Sequence, residues 1–154
     1  MKNRLDKARL LRDLLDEVVY TYFPLRAVGD ATTPRFGQTT AEWGLLRTLE
    51  ARGPMTVAAL ARSRPVARQW IQRLADQLEQ QRLIEFVDNP EHKRAKLMRI
   101  TPAGTKLLRR IGAAFDAMAD EMKKDFDHGA MQTTFATLHK LRERLIRDYR
   151  QMKE

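Results

Sequence analysis

Apolar side chains recur at helical spacing over most of the chain and switch once to a strand-like pattern. Leu11, Leu14, Leu15, Val18, Val19 and Tyr22 follow i, i+3, i+4, i+7 steps, which predicts an amphipathic helix from about Leu5 to Leu25. The stretch from Val28 to Thr39 holds Gly29, Asp30, Pro34 and Gly37, all turn formers, and reads as a long loop. Thr40 is placed to cap a second helix, with Glu42 in its first turn and Trp43, Leu46 and Leu49 inward, and Gly53-Pro54 ends it. Thr56 is placed to cap a short third helix, Val57 to Arg62, with Val57, Leu60 and Ala61 inside. A fourth helix is expected from about Val66 to Gln80. Ala67, Ile71, Leu74 and Leu78 form its apolar stripe, and Arg68, Gln69, Gln72, Arg73 and Asp76 lie opposite.

The period then changes. Leu83 to Asp88 and Lys96 to Ile100 read as two short strands joined by the polar connection Asn89 to Ala95, a hairpin. Thr101-Pro102 opens the next helix, Thr as N-cap and Pro at a first position whose N–H would have had no partner. That helix carries Leu107, Leu108, Ile111, Phe115, Met118 and Met122. A last one, starting near Asp127, carries Met131, Phe135, Leu138, Leu141, Leu145 and Tyr149. The fold class expected is mainly α with a small β-hairpin, in the order α-α-α-α-β-β-α-α. Helix, turn, helix and hairpin is a winged helix-turn-helix, whose second helix fits a DNA major groove.

Charge sharpens this reading. The 154 residues carry a net +9, and residues 62–110 hold 12 Lys/Arg against 5 Asp/Glu, a net of +7, while the flanking segments are nearly balanced. A central module that meets a polyanion, with outer segments that meet protein, fits this asymmetry; a basic face without a partner is the alternative. On the fourth helix, Arg68 and Arg73 are of the type that pairs with guanine and Gln69 and Gln72 of the type that pairs with adenine. Arg94, beside Lys93 at the hairpin tip, suits a narrow minor groove. Trp70 sits at the edge of the core stripe. The terminal apolar stripes are longer than one small winged helix covers, so the end helices are expected to pair across a two-fold axis as a homodimer. Two reading helices would then lie roughly 34 Å apart on a pseudo-palindromic site.

Other chemistry is thin. Without cysteine there are no disulfides, thiolate metal sites or thiol nucleophiles. His92, His128 and His139 show no ligand spacing, and Ser63 is the single serine, away from any nucleophile elbow. No catalytic residue, metal or cofactor is expected. Neither is a membrane span or signal peptide, which makes a cytoplasmic location the expectation.

Several segments together resemble the MarR family of dimeric transcriptional regulators over nearly the whole chain. Thr40-Ala41-Glu42-Trp43-Gly44-Leu45-Leu46 is similar to that family's second-helix start and Val57-Ala58-Ala59-Leu60-Ala61 to its third helix. Arg68-Gln69 through Arg73-Leu74 and Leu78-Glu79 resemble its recognition helix. Asp88 to Lys96, followed by Ile100-Thr101-Pro102-Ala103-Gly104, resembles its wing and the helix opening that follows. The resemblance implies a repressor released from DNA by a small anionic or aromatic molecule between the dimerisation and DNA-binding parts. It carries Arg68, Gln69, Gln72 and Arg73 over as groove contacts and Arg94 as the wing-tip arginine. The chain departs from the pattern at Arg64 (a core Leu), Pro65 (a turn Gly), Ala67 (a capping Ser) and His92 (an acidic brace for the wing arginine). Arg64 is either an added phosphate contact or a solvated turn residue.

The organisation expected is residues 1–39 as an N-terminal dimerisation helix and loop, 40–104 as the DNA-binding domain and 105–154 as C-terminal dimerisation helices. Tyr20, Tyr22, Arg26 and Trp43 fall near the cleft between these parts and are candidates for binding an aromatic acid; they are also ordinary core and interface types. A winged-helix module that docks an acidic protein, and a DNA-binding protein without an effector, are the competing functions.

Overall fold

The structure is a computed structural model that describes residues 2–64, 66–92 and 94–152. Six helices and one hairpin follow in the expected order: α1 (Lys2–Thr32), α2 (Thr40–Arg52), α3 (Val57–Ser63), α4 (Arg68–Gln80), β1 (Ile84–Val87), β2 (Leu97–Ile100), α5 (Pro102–Met122) and α6 (His128–Gln151). Short 3-10 turns at Thr33–Phe36 and Lys123–Asp125 follow α1 and α5.

The long loop from Val28 is largely absent. The first helix continues to Thr32, and Gly37, in a left-handed conformation at φ 71°, ends the 3-10 turn that follows. Packing overrides the turn-forming residues. Gly29 lies against α2, where a Cβ would come within 3.0 Å of the Thr40 side chain. The Asp30 carboxylate accepts the Thr40 hydroxyl at 2.6 Å, and the Thr33 hydroxyl bonds back to the Gly29 carbonyl at 3.0 Å. With its hydroxyl committed to Asp30, Thr40 leaves the capping of α2 to Thr39. Thr39 Oγ1 accepts from the Glu42 N–H, while Glu42 Oε2 accepts from the Thr39 N–H at 2.7 Å, a capping box.

The core lies within the winged helix. Leu45, Leu46 and Leu49 of α2, Leu60 of α3, Ile71, Ala75 and Leu78 of α4, and Ile84 and Met98 of the hairpin are buried together. Trp43, expected inward, is half-buried at the flank, and Leu45 takes the inner position. Thr56 caps α3 through the Ala59 N–H, as its position suggests. The fourth helix starts at Arg68, two residues later than expected, so Ala67 precedes it and is exposed.

The strands pair antiparallel, Ile84 opposite Ile100 and Phe86 opposite Met98, and Met55 bridges to Met98 on the outer edge. Thr101 caps α5, and Asp127 Oδ1 caps α6 through the Ala130 N–H at 2.8 Å. The terminal helices leave their apolar stripes uncovered: Leu11, Val18, Val19 and Tyr22 of α1 and Met131, Phe135, Leu138 and Leu145 of α6 are exposed, Phe135 to 73%.

Candidate nucleic-acid interface

The two faces of α4 separate cleanly. Ile71, Leu74, Ala75 and Leu78 are buried, whereas Arg68, Gln69 and Arg73 are exposed on the opposite side. Gln72 is half-buried, and its amide nitrogen donates to Asp76 Oδ1 at 2.8 Å one turn on. Among the described residues, no carboxylate pairs with Arg68, Arg73 or Arg94. Their charges are therefore unspent among the described residues.

At its far end α4 closes through a left-handed Arg82 (φ 58°). The Leu83 N–H bonds to the Leu78 carbonyl at 2.9 Å and the Arg82 N–H to that of Glu79 at 2.8 Å. Gln81, at the same end, accepts from Gln38 Nε2 at 2.6 Å and donates to the buried Glu42 at 3.4 Å, which ties α4 to the start of α2. This link between distant segments has no local signal in the sequence.

The wing tip consists of two consecutive turns, the His92 N–H on the Asn89 carbonyl and the Ala95 N–H on the His92 carbonyl, both at 3.1 Å. Arg94 is exposed on the second turn. Lys93 lies outside the described residues, as does Pro65. At the base of the wing, Arg99 is paired with Glu85 across the strands at 2.9 Å.

Arg64 is not a solvated turn residue. Its side chain is half-buried and turned onto α2, donating from Nη2 to the Gly44 carbonyl at 2.6 Å and to the Thr48 hydroxyl. Burial, with Arg52 and Arg47 as charged neighbours, pushes its pKa down. Gly44 in the middle of a helix was the available signal, since glycine there marks a close approach.

A cavity of about 1020 Å³ opens between α1, α2, α4 and α5. Of the four candidate ligand residues, Tyr22, Arg26 and Trp43 line it, together with Arg47, Trp70 and Phe115. Tyr20 does not; it stands 69% exposed, away from the lining. Trp43 stacks on Phe115 with ring centroids 4.4 Å apart and 6° between planes, and the Arg47 guanidinium lies 4.8 Å over the same indole. Arg26 is held charged by Tyr22 and Asp30, which raise its pKa. Trp70 packs at the flank of the core and faces this cavity.

The sequence profile of the MarR family matches residues 36–95, from the 3-10 turn to the wing. An uncharacterised protein of Mycobacterium tuberculosis is 32% identical over 117 residues, 76% of this chain and 81% of its own. The chain belongs to the MarR family. This is a family of transcription regulators rather than enzymes. The fold agrees throughout. Staphylococcus aureus MarR, solved with salicylate and kanamycin, superposes with a TM-score of 0.77 at 18% identity, over 90% of this chain and 93% of its own. A mutant of Escherichia coli MarR solved with operator DNA gives 0.69 at 18% identity, over 82% and 92%. The regulator BldR of Sulfolobus solfataricus gives 0.76 at 18% identity, over 86% and 94%.

Proposed function

We propose that two copies of this chain pair through residues 1–39 and 105–154 and that the winged helices between them, residues 40–104, repress transcription by binding a pseudo-palindromic duplex. The observation that carries this reading is the exposed face of α4. Among the described residues, Arg68, Gln69 and Arg73 have no carboxylate partner, and neither does Arg94 on the adjacent wing. Arg68, Gln69, Gln72 and Arg73 are the groove contacts, Lys93 is a further DNA contact, and Arg94 enters the minor groove. The E. coli relative bound to operator DNA supports the same mode of engagement. Such a protein works in the cytoplasm, and no described helix is long and apolar enough to cross a membrane.

The cavity beneath α1 receives the effector. Its aromatic walls and the cations Arg26 and Arg47 suit a planar aromatic anion, and the S. aureus relative was solved with salicylate. Release follows if the ligand separates Trp43 from Phe115, because α2 carries the first residue and α5 the second.

Binding of Arg73→Ala and Arg94→Ala to a duplex enriched by the parent from a random pool tests the contacts. Each should lose about tenfold or more in affinity, on the scale of 1–3 kcal/mol for a base-edge contact. Parent-like binding by both variants would refute the assignment.

A further inference from the structure

Of the polar groups that join distant parts of the winged helix, Arg64 is the least expected. It is the last residue tied to α3, its N–H bonded to the Leu60 carbonyl at 3.1 Å, and its side chain crosses 20 residues of sequence to reach Gly44. Thr48 Oγ1 donates to that same Gly44 carbonyl at 2.9 Å while accepting from Arg64, so the three groups form a closed cluster on α2. The guanidinium lies close to the helix backbone: a Cβ at Gly44 would come 3.3 Å from Nη1 and 3.8 Å from Nη2, so alanine there would press the guanidinium outward by a few tenths of an ångström.

The arrangement is electrostatically costly. The side chain is half-buried, its charged neighbours Arg52 and Arg47 have the same sign, and no carboxylate among the described residues pairs with it. A residue placed to meet DNA phosphate would keep its charge in solvent. Arg64 instead directs its donors at α2, and a planar guanidinium can serve two acceptors at once where an ammonium is less suited. The next helix explains the need. At the N-terminus of α4, Ala67 provides no side-chain cap, so the first turn of the recognition helix lacks the usual local anchor.

We propose that Arg64 is a positioning residue: by fastening the end of α3 to the middle of α2, it fixes the point from which the uncapped α4 follows and sets the angle at which α4 presents Arg68, Gln69 and Arg73. This rests on the DNA-binding reading for its consequence, but the tie itself is testable without DNA.

Two variants of the full chain separate the possibilities. Arg64→Leu removes the tie along with an uncompensated half-buried charge, so its melting temperature should stay close to that of the parent. Gly44→Ala keeps Arg64 and shifts its guanidinium by a few tenths of an ångström, a milder perturbation of the same tie. In Arg64→Leu, hydrogen exchange of the Trp70, Ile71 and Gln72 amides should accelerate about tenfold relative to the parent, and in Gly44→Ala by a smaller factor. Affinity for the pool-enriched duplex should fall about tenfold relative to a scrambled duplex, while the dependence of binding on salt keeps its slope. Unchanged exchange in both variants overturns the tie. Equal losses on the two duplexes, with a salt slope shallower by about one, would make Arg64 a phosphate contact and overturn the proposal. If the parent itself fails to discriminate between duplexes, the DNA-binding reading falls, and exchange alone still decides whether Arg64 orders α4.

Discussion

Replacing Gly104 by alanine should loosen the joint between the wing and α5. Gly104 is buried in the first turn of α5, against Leu83 in the link from α4 to β1 and Ile100 of β2. A Cβ there would overlap the Leu83 carbonyl oxygen and lie 2.8 Å from Ile100 Cγ1. Carbon–carbon contacts settle at about 3.5–4.0 Å, so relief at Ile100 alone asks for a shift of about 1 Å. The Leu83 carbonyl cannot retreat freely, because it accepts from both the N–H of Thr101 at 3.0 Å and its hydroxyl at 3.1 Å. Weakening those two bonds costs about 1 kcal/mol each, and repacking Ile100 adds a comparable amount. The better helix propensity of alanine returns up to about 1 kcal/mol. A net loss of about 2–3 kcal/mol corresponds to a melting temperature lower by roughly 5–10 °C in a chain of this size. Far-UV circular dichroism melts at matched protomer concentration provide the test, since association itself moves the midpoint. A midpoint within about 1 °C of the parent would refute the packing argument.

Arg82→Gly should act in the opposite direction. Arg82 holds a left-handed φ of 58° at the end of α4, where glycine carries no Cβ penalty, so the variant should gain about 0.5–1 kcal/mol in urea unfolding. The tie between α1 and α2 should be sensitive to acid. Asp30 has its pKa lowered, first by the Thr40 hydroxyl and then by Arg26, so its contribution is complete above the ordinary aspartate pKa and is lost as pH falls through the depressed value. Melts of Asp30→Asn between about pH 5 and pH 3 should therefore show a shallower loss of stability than the parent.

The order of elements was legible because it depends on local periodicity and on caps such as Thr56, Thr101 and Asp127, whose partners lie within three residues. The far end of α1 was not. Gly29 and Asp30 have turn-forming chemistry, and their helical state depends on Thr40, a partner on another helix. The exposed face of α4 was legible for a similar reason: an exposed stripe needs only its own spacing and the core stripe opposite. Arg64 could not be placed from sequence, since its acceptors lie 20 and 16 residues away on α2. The cavity assembles from four helices, so Tyr22, Arg26 and Trp43 could be named by type, but Tyr20, just two residues from Tyr22, points elsewhere.

The central claim is that α4 and the wing read DNA sequence. Fluorescence anisotropy with a duplex enriched from a random pool, against a scrambled duplex of the same composition and at two salt concentrations, tests it most directly. A preference of about 10³-fold or more, with affinity that falls steeply with salt, is expected. Failure to enrich any sequence, or equal and weak binding to both duplexes, would contradict it.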